Sequence, residues 1–428
     1  MKKLLITCSF FVVSFAGFTQ TKTDKPFDTK EVERIITKLA SDDMRGRATF
    51  SPDIDKASSF ISEEFKKIGL QKFGNNTSYL QPFKMVQPKF ISVKSIWNNQ
   101  NLDAKQVMVF TSIPKLKANE KSGYQKEYIK ANDNFFAVAS QLVQSKKNCL
   151  VLVDSAHAKK FGKLTYLKHY LFKSDNSVVF VLTNEEPKTF EIEAIHEIKE
   201  LNLANVAGVL PGKKLKNEYV IFSGHYDHLG IEEPMNGDSI YNGANDDASG
   251  ITAVISLAKY YKALNNNERS IIFVAFTAEE IGGFGSQYFS NQLNPTKVAA
   301  MFNIEMIGTE SKWGTNSAYI TGYEKTNMGE ILQKNLKGSN FTFYPDPYTE
   351  QQLFYRSDNA TLARQGVPAH TISTSKMDNE ANYHKASDEV KTLDMVNMSN
   401  IIKSIAVSAT SIINGKDTPS RVDTAQLR

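Results

Sequence analysis

The sequence predicts an α/β fold: a mostly parallel mixed sheet covered by helices on both faces, with a smaller α+β domain inserted into it. Three observations point there. From about residue 201, short apolar runs alternate with stretches of helical periodicity, the pattern of strand–helix–strand units. Most of the chain's clustered acidic and histidine residues stand just after those apolar runs, at the carboxyl ends of strands, where open α/β sheets build their sites. Residues 88–200 differ in texture, being rich in Lys and Asn and almost free of Gly. At 428 residues the chain also exceeds what one hydrophobic core usually holds.

Taken in order, the first segment reads as a leader. Lys2 and Lys3 precede an apolar run, Leu4 to Phe18, that is too short to span a bilayer. Ser14-Phe15-Ala16 offers a small-x-small cleavage site, and a cut near Gln20 fits equally. Residues 1–20 are therefore expected to be a signal peptide, and the protein to be exported to the periplasm or beyond the cell. A lipid-anchored form would use Cys8, which has only seven residues before it. Loss of the leader leaves one cysteine, Cys149, and hence no internal disulfide.

Residues 21–30 are polar and read as loose. Residues 30–70 carry two helical patterns, VERIITKLA and KASSFISEEFKKIGL, the second closed by Gly69 as a C-cap. Tyr79 to Val86 reads as a strand. The main domain is expected to comprise 21–87 and 201–415, and the insert 88–200. Within the insert, CLVLVD and SVVFVLTN read as buried strands. His157, His169 and His196 have no acid–histidine pattern nearby and read as solvated surface residues.

Beyond 201, NVAGVLPG is a strand and turn, and YVIFSGH is a strand ending on His225. Ser249 caps the helix ITAVISLAKYYKAL. SIIFVAF, AAMFNIEMI and VPAHTIS are further strands, and 390–414 is an amphipathic helix. Residues 416–428 read as a disordered tail. Lys plus Arg total 51 against 46 Asp plus Glu, with no dense basic tract, which argues against nucleic-acid binding. No run after the leader is long enough for a membrane helix.

The chemistry lies in five segments: HYD (His225, Asp227), NDD (Asp246, Asp247), AEE (Glu279, Glu280), NIEM (Glu305) and YHKASD (His384). Each has an ordinary reading. An H-x-D pair is often structural, adjacent aspartates before a helix are often N-caps, and glutamate pairs are usually solvated. Glu305, however, sits in an apolar strand, and buried carboxylates are costly unless a cation compensates them. Several converging acids and histidines point to a metal site, and more than four point to two metals. An H-x-D can supply an imidazole ligand and the group that orients it. Gly243 and Gly250 predict a tight backbone around Asp246. In the glutamate pair, one residue can bind metal while the other takes a proton from water. His228, beside this set, reads as a buried, hydrogen-bonded histidine.

Together the motifs LASDDMRGR, FISEEFKKIGL, NVAGVLPG, SGHYDHLG, GDSIYNGANDDASG, FTAEEIGGFGS, NIEMIG, YRSDNATLARQGVPA and YHKASDEV resemble the co-catalytic zinc aminopeptidases of the bacterial leucyl aminopeptidase and aminopeptidase Y type. The same fold family includes glutamate carboxypeptidase II, the transferrin receptor ectodomain and glutaminyl cyclase. The resemblance covers about 30–85 and 200–415 and implies a zinc-exopeptidase-like, phosphorylase/hydrolase-like fold. It implies two Zn2+ per chain: His225 and Glu305 on one, Glu280 and His384 on the other, Asp246 bridging. It further implies Glu279 as general base, Asp227 orienting His225, Tyr383 stabilising the oxyanion, and a cis Asp246–Asp247 bond. Two departures stand out. Glu305 replaces the family's usual Asp, an arm longer by about 1.5 Å. Asn359 stands where the family's SDH has His. The insert occupies the place of a protease-associated domain. The implied activity is exopeptidase hydrolysis, most simply aminopeptidase action on N-termini of peptides or small proteins. Two alternatives are a single-zinc enzyme of the glutaminyl cyclase type and a catalytically dead receptor or binding protein on the same fold.

Overall fold

A computed structural model describes residues 24–427. The expected leader, residues 1–20, and Cys8 lie outside the described residues. The described residues divide into two units: 24–49, 53–79 and 206–427 form the first, and 50–52 with 80–205 the second. The seams thus fall at 79/80 and 205/206 rather than at 87/88 and 200/201. The reason is local. Leu80–Trp97 and Phe190–Leu210 are single long strands that run through the expected boundaries.

The first unit opens with helices α1 (Thr29–Leu39) and α2 (Pro52–Ile68). Asp28 caps α1 by accepting the Lys30 N–H at 2.9 Å. The described part of the stretch before it, from Asp24, is not loose. Pro26 and Phe27 are buried in a short 3-10 turn, and the Phe27 ring lies 5.0 Å from that of Tyr260. Two apolar residues in a polar stretch were enough to dock it.

The sheet of this unit uses β1 (Phe190–Leu210, through its last residues), β2 (Leu215–His225), β3 (Arg269–Phe276), β4 (Val298–Ile304), β5 (Ser317–Ile320), β6 (Thr342–Pro345) and β7 (Ala369–Ser373). Their spatial order is β6-β5-β7-β4-β2-β3-β1. β2 pairs in parallel with both β3 and β4, and β4 with β7. β1 and β5 join β3 and β7 antiparallel. The sheet is therefore mixed and parallel at its centre, as expected.

Central strands read as continuous apolar runs because both faces are covered. Alternate side chains face opposite ways. On one face Phe222 stacks between Phe273 and Phe302 and meets Tyr261 of α3 (Ser249–Leu264) at 5.6 Å. On the other, Ile221, Ile272 and Met301 pack with Phe289 of α4 (Phe284–Ser290) and with Leu362 of α5 (Asn359–Ala363). Each such buried side chain stabilises by roughly 1.5–3 kcal/mol.

The tail is ordered, which corrects the expectation of disorder for its described residues. The buried Arg269 guanidinium donates to the carbonyls of Ile412 and Asp417 and to the Thr418 hydroxyl. Arg421 donates to the carbonyls of Val298 and Pro295, and Val422 is buried. Polar anchors leave no apolar periodicity for a sequence reading to find.

In the second unit, a four-stranded sheet runs Val107–Phe110, Val178–Leu182, Cys149–Val153, Gln125–Ile129. The middle two are the expected CLVLVD and SVVFVLTN strands. Helix Phe135–Gln144 packs with them. Two of the three histidines are not on the surface. His157 stacks on Phe135 and bonds the Lys130 carbonyl at 2.9 Å. His196 lies 2.6 Å from the buried Lys168 amine. Only His169 is exposed. Their partners are distant in sequence, so no local pattern announces the burial.

Candidate metal centre

The parallel strands deliver the predicted residues to one edge of the sheet. β2 ends on His225 and Glu305 follows β4. After β3 the chain turns through Ala278 to Glu279 and Glu280. Asp246 sits in the turn Ala244–Ala248 before α3, and its bond to Asp247 is cis. Ala278 (φ 60°), Met306 (φ 53°) and His384 (φ 55°) are held in the left-handed region, which costs energy for residues with a Cβ. These strained positions fall at His384, beside Glu305 and beside the Glu279–Glu280 pair. The tight backbone expected at Gly243 and Gly250 is present. Gly243 has φ +56°, and a Cβ on Gly250 would lie 2.1 Å from the Ile304 carbonyl oxygen.

Asp246 faces two histidines, one with each oxygen. Its Oδ1 is 3.2 Å from His225 Nε2 and its Oδ2 is 3.3 Å from His384 Nε2. His384 Nε2 is also 3.2 Å from Glu280 Oε2. Two ligand atoms sharing a tetrahedral zinc at about 2.0–2.2 Å lie about 3.3–3.5 Å apart, so these gaps suit a shared ion. Glu305 joins His225 and Asp246 in a group whose ligating atoms lie within 4.8 Å of one another. The buried His225 Nε2 has no hydrogen-bond partner. His228 also reaches the second group, with Asp246 and Glu280. Its Nδ1, however, is 2.7 Å from Glu280 Oε1. That is a direct hydrogen bond, consistent with the expected buried, bonded histidine.

A second layer fixes these groups. The expected role of Asp227 is corrected in its atom: His225 Nδ1 bonds the Asp227 main-chain oxygen at 3.1 Å, and the carboxylate is 3.8 Å away. That carboxylate instead accepts the N–H groups of Glu279 and Glu280 and the Thr49 hydroxyl. Asp247 accepts from the backbones of His225, Gly250 and Met306, tying three segments together. Asp388 holds the N–H groups of Asn245 and Asp246. Arg47, fully buried, donates to the carbonyls of Leu39, Tyr226, Asn242 and Gly243. Ser357 donates to the Glu305 carboxylate. Asn359 is buried, donating to the Phe354 and Ala369 carbonyls and accepting from Thr371. It braces the frame and does not line the cleft. No sequence signal pairs Ser357 with Glu305, 52 residues away, or Arg47 with the carbonyls that accept its hydrogen bonds.

The side chains alone carry more acid than the place tolerates. Burial drives Glu279 well above the usual carboxylate range, and Glu305, Asp358 and Glu280 add to it. Burial pushes Glu305 up to about 7, with Asp246 adding. Asp358 and Asp388 rise to about 6, again chiefly through burial. Asp246 moves the other way, because His225 and His384 outweigh its burial. Hydrogen bonds to Asp246 and Glu280 raise His384 to about 10. Crowded, buried carboxylates of this kind are what dications neutralise.

The cluster opens on a cleft of about 290 Å³ lined by Asp246, Glu279, Glu280, Glu305, Tyr383 and His384, among others. The Tyr383 ring stacks on His384 at 3.9 Å, and burial raises its phenol pKa. All eight predicted site residues thus meet here: six line the cleft, and His225 and Asp227 stand behind it.

Residues 205–409 match the model of peptidase family M28, the segment that holds every predicted ligand. A probable zinc metalloprotease of Pyricularia oryzae is 31% identical over 113 residues, 26% of this chain and 22% of that protein. Aminopeptidase YwaD of Bacillus subtilis is 26% identical over 132 residues, 30% of this chain and 26% of that one. The matched segments thus span about a quarter of these relatives. Among solved structures, BSAP, a zinc aminopeptidase from Bacillus subtilis, superposes with a TM-score of 0.55 at 14% identity, covering 93% of this chain and 98% of that chain. The family model covers 205 of the 428 residues, and the likeness to BSAP is one of fold.

Proposed function

We propose that this chain, with its M28 segment, is a zinc metallo-exopeptidase holding two Zn2+, and that it removes N-terminal residues from peptides. The observation that carries this reading is Asp246, whose two oxygens each stand 3.2–3.3 Å from a different histidine. The residues fit the metal: a buried orphan imidazole nitrogen on His225 and a crowd of carboxylates would both be answered by it. His225 and Glu305 would hold one ion, Glu280 and His384 the other, with Asp246 between. Bound zinc supplies Lewis acidity toward a scissile carbonyl and an attacking water.

The chain's own residues do the rest. Glu279 lines the cleft, and its raised proton affinity suits a group that accepts the water's proton and passes it to the leaving amine. Asp227 fixes both glutamates through their N–H groups, so base and ligand keep their separate directions. Tyr383, stacked on His384, would donate to the developing oxyanion. The leader-like residues 1–20 support export to the periplasm or the extracellular space, and the second unit takes the place of a protease-associated domain.

Zinc titration of the chelated protein tests the reading. The expected result is two ions per chain, with zinc-dependent hydrolysis of aminoacyl amides. A stoichiometry of one with cyclisation of N-terminal glutamine would favour the cyclase alternative. Two bound ions without turnover would favour a binding protein.

A further inference from the structure

The cleft contains one arginine, Arg356, among carboxylates, hydroxyls and apolar side chains. It is exposed, on the loop that follows the 3-10 turn Leu353–Tyr355. Its guanidinium makes one side-chain hydrogen bond, Nη1 to Gln351 Oε1 at 3.2 Å. No carboxylate lies within salt-bridge distance of it among the described residues. Elsewhere in this unit the clustered cations are answered. Arg34 and Lys259 share Glu31 and Glu64, and Arg269 has Glu218.

Arg356 is also held in place. It directly precedes Ser357, which bonds Glu305, and its own N–H bonds the Leu353 carbonyl. It lines the same cleft as Tyr383 and the four acids. A guanidinium presents a rigid fork matched to carboxylate geometry. The four acids of the cleft cannot serve as its partner. They are committed to His225, His228, His384 and Ser357, or to the proton-accepting role of Glu279.

Resting on the exopeptidase reading, we propose that Arg356 is a specificity-determining residue that pairs with a carboxylate of the substrate. That carboxylate is either the side chain of an N-terminal Asp or Glu or the free α-carboxylate of a dipeptide. The two sources share one chemistry and differ in where the negative charge lies.

Two isosteric pairs separate them, assayed with the zinc-loaded full chain: Glu- against Gln-p-nitroanilide, and Ala-Ala against Ala-Ala-amide. One pair is expected to favour its charged member by about tenfold or more in kcat/KM, chiefly through KM. In R356Q that ratio is expected to fall towards one, and in R356K to be partly retained. Zinc stoichiometry is measured on each variant, so that a damaged metal site is recognised. Ratios below about twofold in both pairs, or a ratio that R356Q leaves unchanged, would overturn the assignment while neutral substrates were still cleaved. A zinc-loaded protein that cleaves none of the four would overturn the exopeptidase reading, and this assignment with it.

Discussion

At the scale of single residues, Glu279 and Glu280 are adjacent yet chemically distinct. Glu280 hydrogen-bonds His228 and faces His384, whereas the Glu279 carboxylate lines the cleft. Glu279→Gln keeps size and polarity but removes the basic group. Turnover should fall by about 10²–10⁴-fold with zinc content unchanged. Glu280→Gln should instead lose one ion, and added zinc should restore part of its activity. Equal zinc loss in the two variants would refute the division. Ser357→Ala tests the longer arm of Glu305. Removing a group that orients a ligand typically costs about 10–100-fold in metal affinity, so the His225–Glu305 site should weaken by that order in a competition titration. Affinity within twofold of wild type would count against Ser357. The candidate ligands were legible because each sits in a short motif, and His225, Glu280 and Glu305 lie in or just after apolar runs. The atom by which Asp227 acts was not. An i, i+2 spacing brings both its carboxylate and its carbonyl near His225, and only the folded turn selects the carbonyl.

At the scale of elements, the centre is built by turns that converge from distant segments. Arg47 is their common strut. Its four carbonyl partners come from the end of α1, the turn after β2 and the turn before Asp246. Burial lowers its pKa, and Asp388, Asp227 and Asp246 act against that. Arg47→Met keeps much of the volume but leaves those carbonyls unpaired and the buried acids without their cation. Removing one partner of a buried charged network typically costs about 3–5 kcal/mol. Denaturant unfolding should register a loss of that order, together with weaker zinc binding. A loss below about 1 kcal/mol would show that the turns stand without it. The motif LASDDMRGR flagged this arginine without revealing its job. Central strands and α3 were readable from apolar runs and a helical period. The tail was not, because Arg269 and Arg421 hold it through backbone carbonyls that no side-chain pattern reports.

At the scale of the whole molecule, the two units carry different chemistry, and pH should expose it. In the first unit most buried acids and histidines stand at the proposed metal centre, so their titration follows the metal; Glu64, paired with Arg34 and Lys259, and His370, bonded to Thr326 and the Thr321 carbonyl, lie outside it. The second unit contains a buried pair outside it, His196 and Lys168. Burial, and then the Lys168 charge, depress His196 from 6.5 to about 4. Burial likewise lowers Lys168 from 10.5 to about 8. Between pH 6.5 and 4 the unfolded chain therefore binds a proton at His196 that the folded chain refuses. Stability present above pH 6.5 should be lost progressively as pH falls towards 4. Lys168 adds no slope there, because its window lies between about 8 and 10.5. His196→Gln keeps a hydrogen-bonding partner for the Lys168 amine but cannot titrate. Thermal unfolding midpoints measured from pH 7 to 4.5 should fall more steeply in wild type than in His196→Gln. The zinc-free protein should show the same difference, since neither residue belongs to a ligand group. Parallel curves would mean that His196 takes up its proton without penalty, and that the second unit opens enough to hydrate it.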